Sequence, residues 1–360
     1  MIKISKFVLA IFWLLIPLTY VHATSPTPKT CGTPPVSGCP GREPATFTTA
    51  QKVHALSVVN NANTITDVVT LLLLYFSGVR ITHNLDIERT KGYSAGDNFS
   101  NWSGWVSYAR TQTDNTSFFT QFDSSLNNAL VGFDTSPREN MVAGIAFGYE
   151  DNDIDTVFNA GEQDIDGFTI APYFGYLFHP NFSIDASAGY SSIDIDQFRI
   201  DSTNFTSIIN GDTDSDRWFV AGNLNAFTRV NDFAFLGRVG IVYSEDDIDA
   251  VVETGGPDAF TTPSNTVEFG QIQAGGEVAY SVTALEPYAS IYYEHDFEYE
   301  KLVLDPRIPR AKNDRNDVRL GLGARYFGEN GFSANLEWSI IAGREEFDSH
   351  TLSIVGRLEF

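Results

Sequence analysis

The chain is poor in sulfur: two cysteines and two methionines in 360 residues. Only Cys31 and Cys39 are present, at the two ends of "CGTPPVSGC", too widely spaced and too isolated for a four-ligand zinc site and too few for a disulfide-built scaffold. Positive charge is also short. Lys and Arg number 23 against 46 Asp and Glu, a formal net charge of -23. So acidic a chain is repelled by phosphates, which excludes nucleic acid as a partner. Long hydrophobic runs are missing after the first two dozen residues. The nearest, Val68 to Val79, is interrupted by Thr70 and Ser77 and falls short of the roughly 20 apolar residues a spanning helix needs. Helical membrane spans are therefore excluded.

The chain opens with a basic start (Lys3, Lys6), an apolar stretch from Phe7 to Leu18 and a small-residue exit at Val21-His22-Ala23. That is the layout of a secretory signal peptide over 1–23, and it takes the mature chain out of the cytoplasm. Residues 24–46 form a Pro/Thr-rich segment too short to bury a core. In an oxidising compartment Cys31 and Cys39 can close a small loop within it.

Aromatics are plentiful, with 28 Phe, 15 Tyr and 5 Trp. From Trp102 onward the apolar residues recur with period two. Phe168, Ile170, Phe174 and Tyr176 share one face; Phe233, Phe235, Val239, Ile241 and Tyr243 share another; Val318, Leu320, Leu322, Ala324 and Tyr326 a third. About twelve such segments can be counted. The opposite parity is polar and includes Arg217, Arg238, Glu277, Arg319, Arg325, Glu337 and Arg357. A soluble sandwich also alternates, but its rows do not open and close on aromatics as Phe182 to Tyr190 and Phe233 to Tyr243 do. Aromatic girdles around an apolar band, over a polar interior, predict an all-β transmembrane barrel of about twelve antiparallel strands. Short turns such as His179 to Asn181 alternate with long polar loops such as Asn152 to Gln163 and Gln197 to Asp214. This places the short turns in the periplasm and the long loops outside the cell, with the outer-membrane bilayer as the solvent of the strands.

The chain also ends in strand register. Leu352, Ile354, Gly356, Leu358 and Phe360 share one parity, Arg357 and Glu359 the other. Hydrocarbon offers no partner to free backbone groups, so the last strand is expected to pair with the first and close a cylinder over 102–360.

Residues 47–101 read as a linker that begins helical, with no proline between Phe47 and Asn84. Its run Leu71 to Phe76 is apolar on every side, which suits neither a wet pore nor a plain surface helix.

"GYSAGDNFSNWSGWVSYART", "NALVGFDTSPRENMVAGIAFGYEDNDID" and the terminal "GRLEF" together resemble the translocator (β) domain of autotransporters. The resemblance covers about Asn63 to Phe360. It implies an α-helix in or near the pore, export of an N-terminal passenger towards the cell surface, and recognition of the aromatic C-terminus by the barrel-assembly machinery. No cofactor and no enzymatic activity are expected, and the barrel is expected to be monomeric. The departure is the short 24–46 segment, which predicts little or no passenger. The other reading is a free-standing surface barrel acting as an adhesin or narrow pore through its acidic loops.

Three stretches invite chemistry. Asn60-Asn61 resembles the Asn-Asn at which one autotransporter subfamily cuts its passenger by attack of an Asn amide on its own carbonyl. "GDTDSDRW" offers carboxylates for a divalent cation but lacks the full loop pattern of a calcium site. His295 stands between Glu294 and Asp296, the composition of a general base, yet a second acidic pair across the mouth is only suggested by Asp246-Asp247. The balanced expectation is no catalytic, metal or cofactor site.

Overall fold

The computed structural model describes residues 45–77, 101–116, 121–157, 159–299, 315–328 and 331–360. The signal-peptide stretch and Cys31 and Cys39 lie outside them.

Among the described residues fourteen strands follow one helix, α1 (Ala45–Ser77). They are β1 (Asn101–Asn115), β2 (Phe122–Arg138), β3 (Met141–Thr156), β4 (Gly161–His179), β5 (Phe182–Ile200), β6 (Ile208–Val230) and β7 (Phe233–Ile248). Then come β8 (Val251–Val252), β9 (Thr261–Thr262), β10 (Asn265–Tyr280), β11 (Leu285–Tyr299), β12 (Asn316–Phe327), β13 (Phe332–Ala342) and β14 (Phe347–Glu359). All but β8 and β9 form one closed antiparallel barrel of twelve strands. The ring is sealed by β1 against β14, from Ser103 opposite Glu359 to Asn115 opposite Phe347. The Phe360 amide adds a hydrogen bond to the Trp102 carbonyl at 2.9 Å, so the chain end is paired to its last residue.

The period-two pattern is the cause of the two barrel faces. Phe168, Leu224, Ile241, Leu322 and Trp338 are exposed outward, while Arg217, Asn225, Arg238 and Arg357 are buried inward. Two aromatic belts bound the outer apolar band. At the short-turn end Phe233 packs on Tyr280 and Phe178 on Phe182, with ring centroids 5.0 and 6.2 Å apart. At the long-loop end tyrosines point their hydroxyls to polar groups of the neighbouring strand: Tyr149 to Asp166, Tyr190 to Asp216 at 2.5 Å, Tyr243 to Glu268 at 2.7 Å and Tyr293 to Asn316 at 2.6 Å. The step from Phe233 to Tyr243 in β7, at ~3.3 Å per residue and a tilt of ~40°, separates the belts by ~25 Å, the height of an outer-membrane apolar band.

The short turns hold as such. Asn231 has φ 56° and Thr283 φ 52°, backbone shapes that reverse the chain in few residues. Two of the connections expected to be long loops are mostly strand. β3 runs to Thr156 and β4 starts at Gly161, and β5 and β6 leave only residues 201–207 between them. The cause is a second alternation, isoleucine against aspartate. Ile154, Ile165, Ile193 and Ile195 turn inward and, with Phe122, form a buried cluster beyond the tyrosine belt. The aspartates between them face outward into water. These strands carry their aspartates outside, with uncharged Asn152, Gln163 and Gln197 buried inside among the isoleucines, and they project past the membrane as an extension.

On this extension β8 and β9 make a two-stranded sheet that folds back over the β5–β6 hairpin. Arg199 holds it, with Nε and Nη2 on the Glu253 carboxylate at 2.8 and 2.6 Å and Nη2 on the Asp258 carbonyl at 2.9 Å. Gly255, at φ 109°, passes so close to the Ile208 carbonyl that a Cβ would sit 2.4 Å from it.

Candidate functional site

The barrel interior is occupied by α1, and the helix is polar where the wall is polar. From its N-terminal side, His54 Nδ1 lies 2.9 Å from Asp246 Oδ2 of β7, and Ser57 donates to Glu150 of β3. Asn60 Nδ2 donates to Thr111 of β1 at 2.9 Å and to Asn128 of β2 at 3.3 Å. Asn63 accepts from Gln273 of β10 at 3.2 Å. Thr66 donates to Asp185 of β5 and accepts from Asn223 of β6, at 3.2 and 2.9 Å. Arg238 of β7 donates to Asp67 at 3.0 Å and to Thr70 at 3.2 Å. Seven strands thus hold one helix.

Between the polar contacts the helix is apolar, and so is the facing wall. Val58, Ile65, Val69, Leu72 and Leu73 share one buried cluster with Val142, Ala146, Ala171, Phe219 and Val242. Of the oily run, Leu72 and Leu73 end in this patch. The closest approach is at Gly175 of β4, where a Cβ would stand 2.3 Å from Val69 and 3.1 Å from Leu73. The opposite helix face, with Asn63, Thr64, Asp67, Leu71 and Leu74, is only half-buried.

The direction of α1 follows from these contacts. Glu150 and Asp246 lie just past the belt residue Tyr149 and just past Tyr243, so His54 and Ser57 are at the long-loop end. Val142, next to the Arg138–Met141 turn, marks the short-turn end, where Leu72 and Leu73 sit. The N-terminal side of the helix therefore faces the long loops.

Every inward arginine is matched. Arg217, fully buried, spans Asp246 at 2.6 Å and Glu150 at 3.0 Å. Arg325 forks onto Glu277 with two 2.5 Å bonds and lies over the Tyr288 ring at 4.0 Å. Arg319 bonds Glu294 at 2.8 Å over Tyr292 at 4.7 Å, and Glu337 accepts from Tyr288 at 2.9 Å. Arg357 forks onto Asp134 at 2.9 and 2.7 Å. Unpaired charges so deeply buried would be costly, and the pairing offsets much of that cost. Sequence reasoning found the arginines but not Asp134, Glu150 and Asp185, and it named Asp246 only with Asp247, as an acidic pair at the mouth. All four carry the same inward parity as the arginines, so the signal was available.

The C-terminal residues Leu352, Ile354 and Phe360 are exposed on the outer face, with Gly356 and Leu358 between them partly covered. Asn61 is buried within α1 beside Asn60. His295 faces outward, with Nδ1 2.7 Å from Asn316, while Glu294 and Asp296 face inward to arginines. The acid-flanked histidine is thus split between two faces, because neighbours on a strand point apart. Asp246 and Asp247 are split in the same way, Asp247 accepting from Thr266 at 2.7 Å. Asp212, Asp214 and Asp216 line the outside of β6, opposite Asp196, Asp194 and Ser192. Among the described residues no three acids, histidines or cysteines are grouped as metal ligands.

Comparison with known proteins gives the same picture. The uncharacterized protein YaiT of Escherichia coli (strain K12) is 24% identical over 250 residues, 68% of this chain and 25% of that protein. The chain thus spans about a quarter of the length of the curated relatives it matches. The translocator domain of autotransporter NalP from Neisseria meningitidis superposes with a TM-score of 0.67 at 14% identity, covering 86% of this chain and 98% of that one. The β domain of the Bordetella autotransporter BrkA gives 0.58 at 13% identity, over 72% and 99%. The family model of the autotransporter β-domain matches residues 104–339, and the chain belongs to that family of outer-membrane barrels.

Proposed function

We propose that the barrel carries the polypeptide preceding α1 to the cell surface and keeps α1 in the lumen afterwards as a plug. The observation that carries this reading is the direction of the helix. His54 and Ser57 are anchored at the long-loop end by Asp246 and Glu150, so the chain ahead of them leaves the barrel on that side. The lumen supplies a matched polar and apolar lining rather than reactive groups, which suits a conduit and not an enzyme. The lipid bilayer is the partner of the outer face. The paired, aromatic C-terminus is the element we assign to recognition by the barrel-assembly machinery, and the working unit is a single barrel.

An epitope tag placed after Ala23 tests the reading. Antibody labelling of the tag on intact cells is the expected result. A tag reached only after the outer membrane is permeabilised would sink it, and would favour a free-standing barrel that acts through the β8–β9 sheet and the acidic extension.

A further inference from the structure

We propose that Arg357 and Asp134 set the register in which the barrel closes. Within the ring, every pair of neighbouring strands except β1 and β14 is consecutive along the barrel chain. A connecting segment restricts the register of such pairs, most tightly where it is a short turn. The seam has no turn, so its register must come from side chains.

The alternation that places β14 in the barrel cannot supply it. A slip of one residue would turn Leu352, Ile354 and Phe360 into the lumen, but a slip of two leaves every residue on its proper face. The inward hydroxyls discriminate little. Thr111 bonds Thr351 at 2.8 Å and Thr113 bonds Ser349 at 3.2 Å, and Ser353 follows at the next inward position. After a two-residue slip that brings Ser353 opposite Thr111 one hydroxyl simply replaces another, and in the other direction Thr111 still meets Ser349 while only Thr113 loses its partner, to Phe347.

Asp134 is not interchangeable. It is buried, and its carboxylate accepts from Ser103 at 2.9 Å, from Tyr173 at 2.8 Å and from both Nη atoms of Arg357. Trp105, opposite Arg357 in the seam, donates Nε1 to Tyr173 at 2.7 Å and so orients that hydroxyl. β1, β2 and β4 together build a receptor for one guanidinium from the last strand. A two-residue slip that brings Glu359 opposite Trp105 would carry Arg357 to Ser107, away from Asp134, and the fork would be lost. Asp134 would then keep only neutral donors in a dry site. The opposite slip would set Arg357 beside Ser103 and change the angle at which the planar fork meets the carboxylate. Among the described residues this is the only ion pair reaching from β14 to the strands across the seam. Because register around the ring sets shear and diameter, it also sets the lumen that α1 fills.

Disulfide trapping in the full chain, with Cys31 and Cys39 replaced by serine, tests this. Ala109→Cys is combined with Ser353→Cys, its partner in the structure, or with Thr351→Cys or Val355→Cys, which report slips of two. With Arg357 present, oxidation should link only the first pair. Arg357→Met and Asp134→Asn should each raise the slipped products at least tenfold relative to the native one, whereas Arg357→Lys and Glu359→Gln should not. Assembled Arg357→Met and Asp134→Asn barrels that link only the native pair would overturn the proposal. Should the single variants fail to assemble, the double variant Asp134→Asn, Arg357→Met decides, since it leaves no orphaned charge. Assembly with mixed products supports the proposal; native product alone, or continued failure to assemble, overturns it.

Discussion

Asp67, the single carboxylate of α1, accepts Arg238 Nη1 of β7 at 3.0 Å, and the same guanidinium reaches Asn225 and Thr70. One arginine thus ties the helix to two strands. Asp67 is partly open to water, so its pair is worth less than a dry one.

From this contact, Asp67→Asn should loosen the plug without unfolding the barrel, by about 1 kcal/mol, near the low end for a charge-assisted hydrogen bond. Arg238→Met should loosen it more, because Asp185 then loses a nearby cation. The measurement is single-channel conductance of purified protein in planar bilayers. Both variants should show more frequent open events, Arg238→Met the more; silent channels in both would refute the anchoring role of Asp67.

A bulkier side chain at Gly175 should displace the helix. A Cβ there has no room against Val69, and overpacking costs about 1–3 kcal/mol. Gly175→Val should leave heat-modifiable migration on detergent gels intact, since β4 tolerates valine. A reporter Ser57→Cys, buried in the parent, should then react with a thiol reagent several-fold faster. An unchanged rate would mean that α1 accommodates the valine in place.

The β8–β9 sheet should be acid-resistant down to low pH. Burial alone would raise the Asp201 carboxyl, but hydrogen bonds from the Thr203 hydroxyl and from the Asn204, Thr203 and Asp258 amides outweigh it and hold the group at about 2. A carboxyl with a lowered folded-state pKa lends stability above its unfolded value of about 3.9 and loses it as pH falls through the folded value. Hydrogen-exchange protection of residues 251–262 should therefore persist at pH 4 and decline towards pH 2. Asp201→Asn should weaken it already at neutral pH, and protection that ignores both pH and this substitution would count against the assignment.

Deleting Phe360 should reduce assembled barrel strongly. Its ring lies outward in the short-turn belt and its amide pairs with Trp102. Phe360→Trp and Phe360→Tyr should be tolerated, because those rings also favour the interface. Glu359→Gln should have little effect, its side chain being half in water at the rim. Outer-membrane yield and heat-modifiability measure all four, and a deletion that assembles like the parent would make the ending incidental.

Period-two alternation determined the barrel before any coordinates. Residues such as Phe233 and Tyr243, or Arg217 and Arg238, can occupy one strand only if one face meets lipid and the other a polar interior. Counting the alternating segments then led to the strand number, and the alternation running up to Phe360 to the closing role of Leu352 to Phe360. Local pattern stopped being sufficient where two faces both looked polar. Ile154 and Ile193 alternate with aspartates, and without knowing that the isoleucines meet one another across strands, the stretch reads as loop. Pairings across the lumen were further out of reach. Asp134 and Arg357 are 223 positions apart, and nothing near either one names the other. The position and direction of α1, the fit of Val69 against Gly175 and the match of each inward arginine to its acid were decided by closure alone, because only a closed ring brings strands from both ends of the chain around one helix.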